Sequence, residues 1–256
     1  MSANAMSTTA RWLLAVLAHV VLVLAWYLFV KLGNVPKFVM PSPGATLDAL
    51  LQPNYSWWTN IAVTATEIFG GYALALVVGV IAALVFTWSK TLEAFFLPIL
   101  VSLNMVPKVA LGPLIIVWFK YGIFPNTLMA FSICVFPILL TTARGLREIE
   151  PELLDLVNSL KGSRWQLFTK IQLPGALPYI FSGMKVAAIL AVAGAIVGEF
   201  LGSDKGLGYL MLQVQVTLDT PAMFMAVLLI TLLGMILYGL VLFLEKLLVV
   251  KDARIA

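Results

Sequence analysis

Long apolar stretches alternate with short polar ones along this chain. Six of them approach or exceed the roughly 20 residues that cross a bilayer as a helix: residues 12–31, 61–88, 94–119, 123–143, 178–201 and 222–245. The third is the least uniform, carrying Asn104 and Lys108 together with Pro98, Pro107 and Pro113. Proline removes a helix hydrogen bond, and freed backbone survives at membrane depth only inside protein or beside water. A kink or split is therefore expected near Met105–Gly112. Between the fourth and fifth stretches lies the polar loop 144–177. Its residues 144–174 hold five of the sixteen Lys and Arg and four of the twelve Asp and Glu. The pattern predicts an all-α membrane protein with six transmembrane helices. One membrane domain spans 11–250, between a disordered tail at 1–10 and a second tail at 251–256.

Composition fits this reading. The chain is 62% hydrophobic and 11% charged, against roughly 25% charged residues in a soluble domain. Cys134 and His19 both lie in apolar runs, which excludes a disulfide framework or a Cys/His metal site within one chain. The first run follows Arg11, is longer than the apolar part of a signal peptide and has no small-residue cleavage site after it. It is expected to remain as a span.

Charge sets the orientation, because Lys and Arg favour the cytoplasmic loops. With the polar loop inside, Arg11, Lys90, Arg144, Arg147, Lys161, Arg164, Lys170, Lys246, Lys251 and Arg254 fall inside, ten in all, against Lys31, Lys37, Lys120 and Lys205 outside. Both termini are then cytoplasmic. In the outer loop Gly33–Asn60, PSPGATLDALL predicts a short helix on the outer face, and Trp57 and Trp58 suit an interfacial belt.

Within the polar loop, Pro151 suits the first turn of a helix, and Glu148, Glu150 and Glu152 suit its positive end. Leu153, Leu156, Val157 and Leu160 fall on one stripe. Gly162 breaks the run. Ser163 and Gln166 have capping-box spacing, so a second short helix starts there, with Trp165, Phe168 and Thr169 on one face and Pro174 at its end. The prediction is a helix–Gly–helix elbow along the membrane.

At this point the chain resembles a family. ABC importer permeases carry a cytoplasmic loop of the form E-A-A-x3-G-x9-I-x-L-P. Here the pattern aligns as Asp155-Leu156-Val157, three residues, Lys161, nine residues, then Ile171-Gln172-Leu173-Pro174. SRWQLFTKIQLPGALPYIFSG, VPKVALGPLIIVWF and IVGEFLGSDKGLGYLM look very like permeases of the nitrate/taurine/sulfonate type. The resemblance covers roughly residues 40–250. Two departures stand out: Leu156-Val157 replaces the Ala pair, and Lys161 stands at the motif Gly, with Gly162 next to it as a possible pivot.

The resemblance implies an inner-membrane transport subunit without catalytic chemistry. A second permease copy, two ATP-binding subunits, a periplasmic or lipid-anchored binding protein and membrane lipid are the implied partners, with no nucleic acid. No G-x-x-x-x-G-K-[ST] occurs, so ATP and Mg are expected on the partner ATPase. Docking on that ATPase would involve Asp155, Leu156, Val157, Lys161, Gly162, Ser163, Arg164, Trp165, Ile171, Leu173 and Pro174. The loop would transmit the ATPase motion to the spans, and the cargo would be a small anionic organic solute. An ion-coupled secondary transporter using intramembrane Glu and Lys is the alternative, and a membrane scaffold without transport a third reading.

Glu67, Lys108, Lys185 and Glu199 lie at membrane depth, where a charge costs at least about 2.5–3.5 kcal/mol on insertion scales. Lys185 and Glu67 could snorkel. Gly194, Gly198 and Gly202, with Ala187, Ala191 and Ala195 beside them, form small-residue ridges that allow close helix packing, near a twofold axis or against the third span. Glu199 beside them should face protein. Two readings stay open for Asn104, Lys108, Glu199 and Glu67: a translocation path in which Lys108 helps an anion through, paired at rest with Glu199 or Glu67, or a structural ion pair.

Overall fold

The computed structural model describes residues 8–148 and 151–249. Among these every regular element is helical. In chain order they are α1 (Thr8–Leu32), α2 (Pro43–Leu50), a 3-10 turn at Pro53–Tyr55, α3 (Trp57–Trp88), α4 (Lys90–Met105), α5 (Lys108–Phe119) and α6 (Ile123–Gly145). They continue with α7 (Pro151–Ser159), α8 (Arg164–Leu167), a π-helical stretch at Phe168–Gln172, α9 (Leu173–Gly202), α10 (Leu207–Val216) and α11 (Thr220–Leu248). Among the described residues five helices are long and apolar enough to cross a membrane, and the bent pair α4–α5 makes a sixth if counted as one span. The tails at 1–7 and 250–256 lie outside the described residues. Thr8–Ala10, expected in the disordered tail, begin α1.

The chain forms two compact units. The first comprises residues 1–57 and 210–228. Its α1 is apolar all round and exposed along almost its whole length, as befits a helix solvated by lipid. The predicted short outer helix is α2, started by Ser42, whose side chain accepts from the Ala45 N–H. Side chains then tie the segments of this unit together. Trp26 Nε1 donates to the Pro41 carbonyl at 3.0 Å, and Trp57 Nε1 to the Ala49 carbonyl at 3.1 Å. Thr220 Oγ1 donates to the Phe38 carbonyl at 2.6 Å. The Tyr55 hydroxyl donates to Asp219, which also caps α11 by accepting from the Ala222 N–H.

The second unit comprises residues 58–209 and 229–256, and its core is α6, packed between α3 and α9. Small residues set the spacing. A Cβ on Gly71 of α3 would lie 2.5 Å from Ala130 Cβ, and one on Gly194 of α9 would lie 2.7 Å from Ala130 Cα. Ala187, Ala188, Ala191 and Ala195 are fully buried in the same interface. Gly194 of the fifth apolar segment thus packs on the fourth, while the third reaches α9 at Gly112, where a Cβ would meet Leu201. At Gly198 a Cβ would meet Asn126, also on α6, at 2.9–3.1 Å.

The third apolar segment is split as expected. Val106, which precedes Pro107, is extended, with ψ of 125°, the conformation that a following proline favours. The axis bends by 88° between α4 and α5. Pro98, in contrast, sits inside α4 without ending it.

Pro174 does not end a helix, as had been expected. Helical structure runs from Arg164 through Gly202, 39 residues, with Pro174 in the first turn of α9. Just before it the Leu173 N–H bonds to the carbonyl of Phe168, five residues back. The widened turn relieves the clash a proline ring makes with the carbonyl four residues earlier. The predicted second short helix is therefore the start of the fifth span, and only α7 stands apart as a separate short helix.

Candidate functional site

The polar segment is anchored at its start. Arg147 pairs with Glu93 of α4 at 2.6 Å, and Arg144 with Glu148 at 3.0 Å. The hydrogen bond from Arg144, above all, holds the Glu148 carboxyl below its ordinary range. Glu150, expected in the first turn of α7, lies outside the described residues. On α7, Asp155 and Leu156 are exposed and Val157 is half-buried. Leu153, Leu156 and Leu160 are 37%, 52% and 73% exposed, so the apolar stripe of this segment is only partly covered by the described residues.

After α7 the chain turns at Lys161, whose φ of 52° is left-handed. The Gly162 N–H closes the turn on the Val157 carbonyl at 2.8 Å. Lys161, aligned with the motif glycine, thus holds the conformation in which glycine is free of strain. Gly162 serves differently from the expected pivot. Its φ is not left-handed, and a Cβ there would lie 2.7 Å from Val157 Cγ1. The capping box forms: Ser163 Oγ accepts from the Gln166 N–H at 3.2 Å, and Gln166 Oε1 from the Ser163 N–H at 2.8 Å. Arg164 and Trp165 are exposed beyond it, Ile171 and Leu173 half-buried, and Pro174 exposed. Trp165 stacks near Phe168, which in turn meets Trp88 edge-on at 5.6 Å.

The intramembrane charges form three separate arrangements. Lys108 donates to the backbone carbonyl and side-chain oxygen of Asn104, one turn earlier across the helix break. The expected pairing with Glu199 or Glu67 is absent: a partner four residues away on the same segment is nearer than either carboxyl. Lys185 pairs with Glu245 of α11 at 3.2 Å, both largely buried, a partner the sequence reading missed. Glu67 does not snorkel, because it is fully buried.

Glu67 and Glu199 come together in a buried network at the junction of α3, α6, α9 and the start of α10. Glu199 Oε2 accepts from the N–H of Gly208 at 2.5 Å and of Tyr209 at 3.2 Å. Its Oε1 accepts from Thr64 Oγ1 at 2.5 Å. Thr64 Oγ1 accepts in turn from the Leu207 N–H at 2.8 Å, and Asn60 Oδ1 from the Gly206 N–H at 2.8 Å. The four N–H groups at the start of α10, which no helical carbonyl can satisfy, are therefore all met by side chains. Close approach requires glycine. At Gly206, with φ of 115°, a Cβ would fall on the Glu199 carboxylate, and at Gly208 it would lie 2.9 Å from Oε2. One layer deeper, Asn126 Nδ2 donates to Glu67 Oε1 at 2.8 Å. Asn60, Thr64 and Glu67 stand at spacings of four and three on α3, a polar stripe in an apolar helix. Gly202 is buried at the end of α9.

Among the described residues no group of three or more His, Cys, Asp or Glu is placed to hold a metal. The arrangement is one of helix packing.

The family described as binding-protein-dependent transport system inner membrane component matches residues 75–250. A probable ABC transporter permease protein of Haemophilus influenzae is 36% identical over 218 residues, covering 85% of this chain and 89% of its own length. The riboflavin transport system permease protein RibX of Chloroflexus aurantiacus is 34% identical over 234 residues, covering 91% of this chain and 87% of that protein. Among solved structures, a chain of the MetNI methionine ABC transporter in an inward-facing conformation matches the fold with a TM-score of 0.53 at 20% identity, over 73% of this chain and 93% of that one. The chain belongs to the binding-protein-dependent transport system inner membrane component family and is a multi-pass inner-membrane permease subunit of an ABC importer.

Proposed function

We propose that this subunit forms part of the path for a small organic solute and takes its drive from a separate ATPase seated on residues 151–174. The observation that carries the reading is the partly exposed apolar stripe of α7 with exposed Trp165, on a polar segment whose second helix runs on as the fifth span. In this reading two copies form the path, two ATPase subunits bind ATP and Mg, and a binding protein delivers solute from outside. The α4–α5 pair counts as one span, and the Lys and Arg bias puts both termini in the cytoplasm. Gly162→Pro removes the N–H that closes the turn after α7, so the reconstituted transporter is expected to hydrolyse ATP without proportionate uptake while the protein still inserts. Normal uptake per ATP would count against the docking segment as the drive.

Lys108 and Asn104 are the path candidates that remain, since Glu67 and Glu199 are engaged in packing. A cation at the 88° break can meet an anionic group of the solute. Lys108→Met is expected to assemble normally and hydrolyse ATP while lowering uptake of an anionic solute about tenfold, a loss of about 1.4 kcal/mol. Unchanged uptake would remove Lys108 from the path.

A further inference from the structure

The network around Glu199 leaves one donor position unfilled, and that position identifies a ligand. Glu67 Oε1 accepts from Asn126, but Glu67 Oε2 is buried with no hydrogen-bond partner. Glu199 lies on the same side of the network: Thr64, one turn before Glu67 on α3, donates to it, and Gly198 beside it packs on the Asn126 that donates to Glu67. The groups bonded within this network, among the described residues, come from three elements. From α3 there are Asn60 and Thr64, from α6 Asn126, and from the turn and first residues of α10 the N–H groups of Gly206, Leu207, Gly208 and Tyr209. The ion pairs among the described residues lie elsewhere, at Arg144–Glu148, Arg147–Glu93 and Lys185–Glu245.

The positive end of α10, with its two N–H groups on Glu199 Oε2, compensates one negative charge. Nothing in this set compensates a second. Two carboxylates held by one buried network repel strongly, and the usual outcome is that one of the two keeps a proton. We propose that Glu67 and Glu199 form a buried proton-binding site, in which Glu67 is a neutral carboxylic acid that donates through Oε2 to the ionised Glu199. The proton completes the network: Asn126 to Glu67, Glu67 to Glu199, Thr64 and two backbone amides to the same carboxylate. It also links α3 and α6 to the base of α10, so any rearrangement that separates α3 from α9 must give Glu67 a new acceptor or release its proton.

Infrared spectra of the full-length protein reconstituted in liposomes at neutral pH test this directly. Wild type is expected to show a carboxylic-acid C=O stretch, distinct from the carboxylate and amide bands, that resists exchange into heavy water and is lost in Glu67→Gln. Unfolding supplies the second readout. Glutamine presents an oxygen to Asn126 and an N–H to Glu199 just as the neutral acid does, so Glu67→Gln should melt within about 2 °C of wild type. Glu67→Ala, which leaves Asn126 and Glu199 without their partner, should fall by roughly 5 °C or more. Absence of the acid band, or a glutamine variant as unstable as the alanine one, would overturn the proposal. A wild-type melting temperature that depends on sodium or potassium, with no acid band, would assign the position to a metal cation instead.

Discussion

Glu199→Ala is expected to destabilise this protein more than any other single side-chain truncation at membrane depth, by about 3–5 kcal/mol. The figure follows from what the carboxylate holds. Two backbone N–H groups, buried at Gly208 and half-buried at Tyr209, would lose their acceptor, each costing about 1–3 kcal/mol, and Thr64 would lose the partner of its hydroxyl proton. The loss should be local before it is global. Amide exchange at residues 206–209 should accelerate at temperatures where α6 and α9 remain protected. Glu199→Gln keeps one acceptor oxygen and should lie between wild type and alanine. An alanine variant with wild-type melting and unchanged exchange at Gly208 would show that α10 is held by something other than this carboxylate.

Gly198→Leu should be nearly as damaging, for the opposite reason: it adds atoms where none fit. Even the first added carbon would stand 2.9–3.1 Å from Asn126, and the rest of the side chain would have to displace the backbone of α6. Overpacking of this kind typically costs about 1–3 kcal/mol, and this site belongs at the upper end because Asn126 would also be pushed off Glu67. Gly239→Leu is the matched control, since a Cβ there meets nothing within 4 Å. Detergent-purified variants compared by thermal unfolding should separate clearly. Equal melting of the two would mean that α9 and α6 can move apart freely.

Much of the architecture could be read from apolar length and proline placement alone. The apolar runs, the split at Pro107 and the helix after Ser42 each have a local cause a few residues long. The capping box at Ser163 and Gln166 is equally local, since both partners sit within one turn. What escaped prediction depends on distant backbone. Glu199 was recognised as facing protein, but its partners are N–H groups of a tight turn, which leave no side-chain signature except the glycines at 206 and 208. Lys108 was assigned a carboxylate because its charge demanded one, whereas a neighbouring amide and a freed carbonyl suffice at a helix break. Pro174 was read as a terminator because the widened turn before it is a product of hydrogen-bond geometry, not of residue type. Asn60, Thr64 and Glu67 were within reach of the sequence, had the spacing on α3 been followed beyond the charged member.

The unbroken helical run from Arg164 to Gly202 constrains how this segment can change in evolution. Adding or removing one residue in a helix turns everything beyond it by about 100°. A single insertion between Trp165 and Glu199 would therefore swing Glu199 away from α10 or Trp165 to another face, and lengths differing by a whole turn or two are the ones that keep both ends in phase. An odd residue is most easily absorbed where the winding already departs from the α pattern, at Phe168–Gln172, with its bond to the fifth preceding carbonyl.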